Sequence, residues 1–480
     1  MLLTELPTDV LKNILLQCEP APITETCSTF ASIIHSTPTL WSSVKLASSQ
    51  FIPESSVFLR SRLHRAAIRP ITIVIGPVYD SADVAIISAL CTAISEFNTQ
   101  IIKLNILAET SFRAGSMLNE IFPDPSRVFP ELQSLMILAA RGREDPHTPA
   151  LPYLDKQLEN IDERFPGLQQ LGVPTFFDCL PMPPTTASFN FLHSLVLNGI
   201  FQATSANLVC VISMLHSTPQ LEALWFKNAT RDDEISIHTD PEIPLEETKG
   251  RDHISIPVFL PCLTHLAVTS PGCATELLRY IVAPALQNLH LDGSRPRTFA
   301  LCCDPWTPWQ AKSVRLVLRA FYKNSPNLRH FAITTTFLDQ DAWEWLLFGE
   351  SASDPPPFPE LETISLHELV IFNGESRCWF DDTLLLRFAR EPRIPLRRLV
   401  LSCCALGLTW SVLFGALKAA AAHTPFFEFV INDSHQKKLS ENLREELEMA
   451  GIKLTEGDDS EDNWGVNRKD HVDPFDAYVY

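Results

Sequence analysis

The sequence predicts an α/β solenoid with a parallel sheet on its concave face, and three observations predict it. The first is a phrase that keeps returning along the chain, roughly Pro-x-Leu-x-x-Leu-x-Leu. A phrase of that kind marks stacked units that cannot bury an apolar face alone. The second is a change of period between copies. Leu208, Val211, Ile212 and Leu215 are spaced for one helical face, and a strand at Leu224 to Phe226 follows. Val314, Val317, Leu318 and Phe321 repeat that spacing before Phe331 to Ile333. The third is length with composition. A chain of 480 residues outgrows a single globular core. Its 37 prolines against 16 glycines suit short rigid connectors that end each helix.

The elements follow in order. Residues 1–46 form a small helical unit. Pro7 sits where a first helical turn tolerates a missing N–H. Val10, Leu11, Ile14 and Leu15 then make one apolar face, and Cys27, Phe30, Ile33 and Ile34 a second short helix. Residues 47–70 connect, with a helix near Val57 to Ala67, and Pro70 to Ile75 reads as a strand. Residues 71–435 carry the repeats. Their motif positions include Leu132, Leu135 and Ile137; Leu168, Leu171 and Val173; Leu192, Leu195 and Leu197; and Leu221, Leu224 and Phe226. They continue as Leu263, Leu266 and Val268; Leu286, Leu289 and Leu291; Leu328, Phe331 and Ile333; and Leu361, Ile364 and Leu366. Shortened copies end on Leu399 and Leu401, then Phe429 and Ile431. Asp232 to Glu247 and Ser351 to Pro357 read as insertions. Residues 436–455 read as a terminal helix, and 456–480 as an acidic disordered tail.

Two resemblances are carried by these residues. Leu6-Pro7-Thr-Asp9-Val10-Leu11-Lys-Asn-Ile14-Leu15, then Cys27-Ser-Thr-Phe30, then Pro38-Thr-Leu40-Trp41 resembles an F-box, especially the F-box-like segments of fungal proteins. Glu19 to Thr26, with Pro20 and Pro22, stands where the family usually carries a Leu-rich helix. The repeats resemble a degenerate leucine-rich-repeat array without the usual Asn after the strand. The F-box resemblance implies docking on a Skp-type adaptor through Leu6, Pro7, Leu11, Ile14, Phe30, Pro38, Leu40 and Trp41. Together the two imply a substrate receptor of an SCF-type cullin–RING ubiquitin ligase. The alternative is a repeat scaffold acting outside a ligase, with Leu11, Ile14, Phe30 and Trp41 capping the first repeat.

Composition excludes several classes. Thirty-eight basic against 57 acidic side chains leave a net charge of −19, which disfavours general nucleic-acid binding. The 12 cysteines are scattered within apolar stretches and suit buried free thiols in a reducing, cytoplasmic or nuclear setting. The N-terminus does not read as a signal peptide, and no apolar run is long enough to span a membrane. No nucleophile elbow, phosphate loop or zinc-protease motif occurs, and the 14 histidines lack metal-ligand spacing. The sequence therefore predicts a non-enzyme with no cofactor and no metal.

The residues flanking motif leucines should face away from the core, because side chains alternate along a strand. Trp225, His265, His290, His330, His367 and Arg398 then share a face with Asn198 and Asn288. That face is the expected surface for a client protein, with Trp225 as an aromatic anchor.

Overall fold

A computed structural model of the chain describes residues 11, 28–47, 51–124, 126–139, 161–175, 189–199, 205–227, 257–269, 278, 280–292, 318–319, 321–334, 340–351, 354–367, 386–388, 390–391, 393–402, 410–423, 428–432 and 441–456. The chain divides into two compact units, Met1–Ile200 and Phe201–Tyr480. Both are α/β with parallel strands.

The first unit opens with helix α1 (Ser28–His35), a 3-10 turn (Pro38–Trp41) and strand β1 (Ser43–Leu46). Helix α2 (Ser55–Ala66) lies where the connecting helix was expected. Then come β2 (Ile71–Val78), α3 (Val84–Glu96), β3 (Ile101–Ala108), α4 (Ser111–Ile121), β4 (Ser134–Ala139), α5 (Ile161–Arg164), β5 (Gln170–Thr175) and β6 (Ser194–Gly199). The strands pair in chain order, all parallel. Each crossover needs a helix or a long loop, which is why helices alternate with strands here. Asp83 caps α3 by accepting from the Ala85 amide at 2.8 Å, and Thr110 caps α4 by accepting from Arg113. Ile73, Ile75, Leu104, Ile106, Leu135 and Ile137 are buried, and α4 packs on β3 and β4.

Two sequence-level features explain how tightly these strands sit. Gly76 has φ +140°, and a Cβ there would come 2.6 Å from the Leu107 carbonyl oxygen, so only glycine fits. Phe122 packs edge-to-face against both Phe129 and Phe165. Arg164 stands over two of those rings, 5.8 Å from Phe122 and 5.3 Å from Phe165. Burial lowers its pKa, against the opposing pull of Asp124.

The second unit begins with α6 (Ser205–His216), whose Val211, Ile212 and Leu215 are buried as the periodicity predicts. It continues with β7 (Ala223–Lys227), β8 (Val258–Phe259), β9 (His265–Thr269), β10 (Ile281–Val282), β11 (Asn288–Asp292), β12 (His330–Thr334), α7 (Gln340–Phe348), β13 (Thr363–His367), β14 (Arg398–Ser402), α8 (Trp410–His423), β15 (Glu428–Asn432), α9 (Glu441–Met449) and β16 (Lys453–Glu456). Strands β7, β9, β11, β12, β13, β14, β15 and β16 pair successively and parallel. Strands β8 and β10 form a separate parallel pair. The motif leucines behave as the repeat predicts: Leu135, Leu224, Leu266, Leu289 and Leu399 are all at most 2% exposed.

Two expected boundaries change. The N-terminal unit is not purely helical, because Ser43–Leu46 pairs with β2 and adds a strand to the sheet. Val44 and Leu46 are buried while Ser43 and Lys45 are exposed, the alternation of a half-buried strand. The helix expected over 436–455 spans Glu441–Met449 only. Gly451 at φ +77° turns the chain, and Lys453–Glu456 becomes a further parallel strand. The tail beyond residue 456 and the insertion at 232–247 lie outside the described residues.

Candidate functional site

The expected adaptor residues divide. Leu6, Pro7 and Ile14 lie outside the described residues, and Leu11 is buried. Phe30 and Pro38 are half-buried. Leu40 and Trp41 turn inward, at 6% and 2% exposure. Trp41 donates its indole Nε1–H to the Ile34 carbonyl at 2.9 Å. The Arg65 guanidinium lies 4.6 Å from the Trp41 ring centroid, and His35 stacks at 6.1 Å. The 3-10 turn packs on α2, and Arg62 of α2 donates to the Ser43 carbonyl at 2.7 Å. Trp41 thus clamps the first helix, the turn and α2 together. Its aromatic face meets a cation of its own chain rather than a partner.

The expected client face is a set of register positions. In the second unit the first residue of each strand stands beside the first residue of the next. The row reads His265, Asn288, His330, Thr363, Arg398, Glu428, Lys453 across β9, β11, β12, β13, β14, β15 and β16. Two residues on, Trp225, Ala267, His290, Ala332, Ser365, Val400 and Val430 form a second row on the same face. His367 occupies a third, between Thr334 and Ser402. The sequence pattern placed Trp225, His265, His290, His330, His367 and Arg398 on one face, and register divides them among three rows of it.

These side chains are laced to one another. Thr264 Oγ1 lies 2.8 Å from His265 Nδ1, and Asn288 Nδ2 lies 3.0 Å from His265 Nε2. His290 Nε2 lies 3.1 Å from Thr334 Oγ1. Arg398 Nε is 3.3 Å from Glu428 Oε2, and Lys453 Nζ donates to Glu428 Oε1 at 2.9 Å. His330 is half-buried, and its Nδ1 has no hydrogen-bond partner among the described residues. Burial holds His330 below the usual histidine pKa; Glu362 pulls it up, and Arg329 and Arg398 push it down.

The second row is not uniformly open. Trp225 and His290 are half-buried, whereas Ser365, Val400 and Val430 are 4% exposed or less. The accessible chemistry lies on the Trp225–His290 side and along the first row, where Thr363 alone of the seven is buried, at 6% exposure. Glu428 and Lys453 were not picked out from sequence. A signal was available for Glu428, which precedes the buried Phe429 as Arg398 precedes Leu399 and His330 precedes Phe331, and Lys453 stands beside it in register.

Among the described residues no group of three or more His, Cys, Asp or Glu could hold a metal ion. Cys91 is buried, and burial pushes its thiol pKa well up, away from reactivity. Among the described residues no helix is long and apolar enough to cross a membrane.

No protein-family model matches the chain, and no curated protein matches it. Among solved structures it is similar to a Bacteroides fragilis protein determined by the Northeast Structural Genomics Consortium. The identity is 13% and the TM-score 0.29, over 63% of this chain and 69% of that one. Likeness of that degree carries no argument about fold or function.

Proposed function

We propose that this chain is a non-enzymatic substrate receptor of an SCF-type cullin–RING ubiquitin ligase, working in the cytoplasm or nucleus. The observation that carries the reading is the run Leu6-Pro7 through Cys27 and Phe30 to Pro38-Thr-Leu40-Trp41, placed ahead of a long parallel-stranded repeat. On this reading the N-terminal segment docks a Skp-type adaptor. The repeats, read as an irregular leucine-rich-repeat solenoid, hold a client protein on the face that carries Trp225, His265, His290, His330, His367 and Arg398. No bond is made or broken on this chain. The receptor acts by raising the effective concentration of client lysines near the charged conjugating enzyme.

The inward packing of Leu40 and Trp41 changes which residues should meet the adaptor. Leu6, Pro7, Ile14, Phe30 and Pro38 remain as contacts, while the buried Leu11, Leu40 and Trp41 shape the surface from beneath. The same packing favours a second reading, in which this segment caps the repeats of a scaffold outside any ligase. Titration of the purified chain with a Skp-type adaptor separates the two. The ligase reading expects binding at tens of micromolar or tighter, about −6 kcal/mol or better. Pro20 and Pro22 in the middle of the segment set the expectation toward the weak end. Replacing Leu6 and Pro7 together by alanine should abolish capture and leave thermal stability unchanged. Absence of binding by the wild-type chain would leave the scaffold reading in front.

A further inference from the structure

The first row of the second unit has a period that the individual strands do not show. Basic or protonatable side chains stand on alternate members of the row: His265, His330, Arg398 and Lys453, with Asn288, Thr363 and Glu428 between them. Neighbouring strands lie about 4.8 Å apart, so these groups recur about every 9.6 Å. Glu428 is the one acid of the row, and it is shared between Arg398 and Lys453. Arg398 and Lys453 against Glu428 leave one net positive charge at this end of the row, in a chain of net charge −19.

An extended segment crossing the strands would meet one such group at each repeat of that distance. A polyproline II helix rises about 3.1 Å per residue with three residues per turn, so residues three apart share a side and lie about 9.3 Å apart. A β-strand does not match, because residues three apart point to opposite sides. We propose that this row receives an acidic client segment in polyproline II conformation, with carboxylates three residues apart facing Arg398 and Lys453. The proposal rests on the client-holding half of the function proposed above and names the chemistry of the client. Charge complementarity supplies attraction and register. The indole of Trp225 lies beside the His265 end and offers an aromatic platform for proline there. Arg398 contributes a guanidinium that can hold a carboxylate on two N–H groups.

The test uses the full chain and three short fluorescein-labelled peptides on a proline-rich background. One carries aspartate at every third position. The second has the same composition with the aspartates contiguous, and the third has lysine in place of aspartate. Anisotropy should show binding of the periodic acidic peptide, weaker binding of the contiguous one by about threefold or more, and none of the lysine peptide. Binding should weaken as salt rises. Arg398→Gln should weaken it. Glu428→Gln should tighten it by about threefold, because Arg398 and Lys453 lose their shared counter-charge. A misfolded variant cannot mimic that gain. Equal binding of the periodic and contiguous peptides, binding of the lysine peptide, or no binding of any would overturn the proposal. Adaptor capture measured on the same preparation keeps the outcomes apart. Capture without peptide binding sinks the proposed client chemistry alone, and peptide binding without capture sinks the ligase reading alone.

Discussion

Trp41 offers the sharpest test of what the N-terminal segment does. Its side chain is 2% exposed, its indole N–H is bonded to the Ile34 carbonyl at 2.9 Å, and Arg65 covers its ring at 4.6 Å. Trp41→Phe keeps an aromatic ring but removes the donor. Ile34 is itself fully buried, and its carbonyl would keep only the longer bond from the Thr37 amide at 3.3 Å, so loss of the indole donor costs about 0.5–1.5 kcal/mol. The weaker cation–π contact over phenylalanine adds about 0.5 kcal/mol. The sum is about 1–2 kcal/mol. Trp41→Ala also leaves a cavity and should cost about 3–5 kcal/mol. Urea unfolding of the full chain, followed by the transition of the first unit, reads both. If Trp41 acts from beneath the surface, adaptor capture by Trp41→Phe should be unchanged under conditions where the variant is folded. A variant with wild-type stability and lost capture would refute the reasoning, because it would make Trp41 a direct contact of the partner.

Other perturbations probe the strands. Leu289→Ala removes a motif leucine that is 2% exposed between two parallel neighbours. It should cost about 2–5 kcal/mol in denaturant unfolding, and a loss below about 1 kcal/mol would contradict its place in the core. His330 gives a pH signature. Burial lowers its folded-state pKa beneath the ordinary value of 6.5. Between those two values the unfolded chain binds more protons than the folded one, so stability rises with pH across that window and falls on acidification. His330→Gln should flatten this part of the stability–pH curve below neutrality, and an unchanged slope would show that His330 is not its source.

Much of the fold was legible because a repeat encodes the same local answer many times. Leucines at fixed offsets, preceded by a proline-bounded turn, specify which strand face is buried, and Leu224, Leu266 and Leu289 obey that rule independently. The period also predicted α6 from Leu208, Val211, Ile212 and Leu215, and it placed His265, His330 and Arg398 on the face opposite the leucines. These are properties of a strand or helix and its immediate sequence, so sequence determines them.

What sequence did not determine were matters of pairing and direction. Ser43–Leu46 is too short to announce itself as a strand, and it becomes one by bonding to β2. Lys453–Glu456 likewise becomes a strand against β15 after Gly451 has ended the helix. Trp41 could have faced a partner or its own chain; Arg65, His35 and the Ile34 carbonyl, brought to it by folding, decide that it faces inward. The alternation of His265, His330, Arg398 and Lys453 likewise exists only across strands, since these residues are far apart in sequence and register alone aligns them. A residue's type and period are local. Its partners are set by which segments the hydrogen-bonded sheet brings side by side, and that is decided by the tertiary structure.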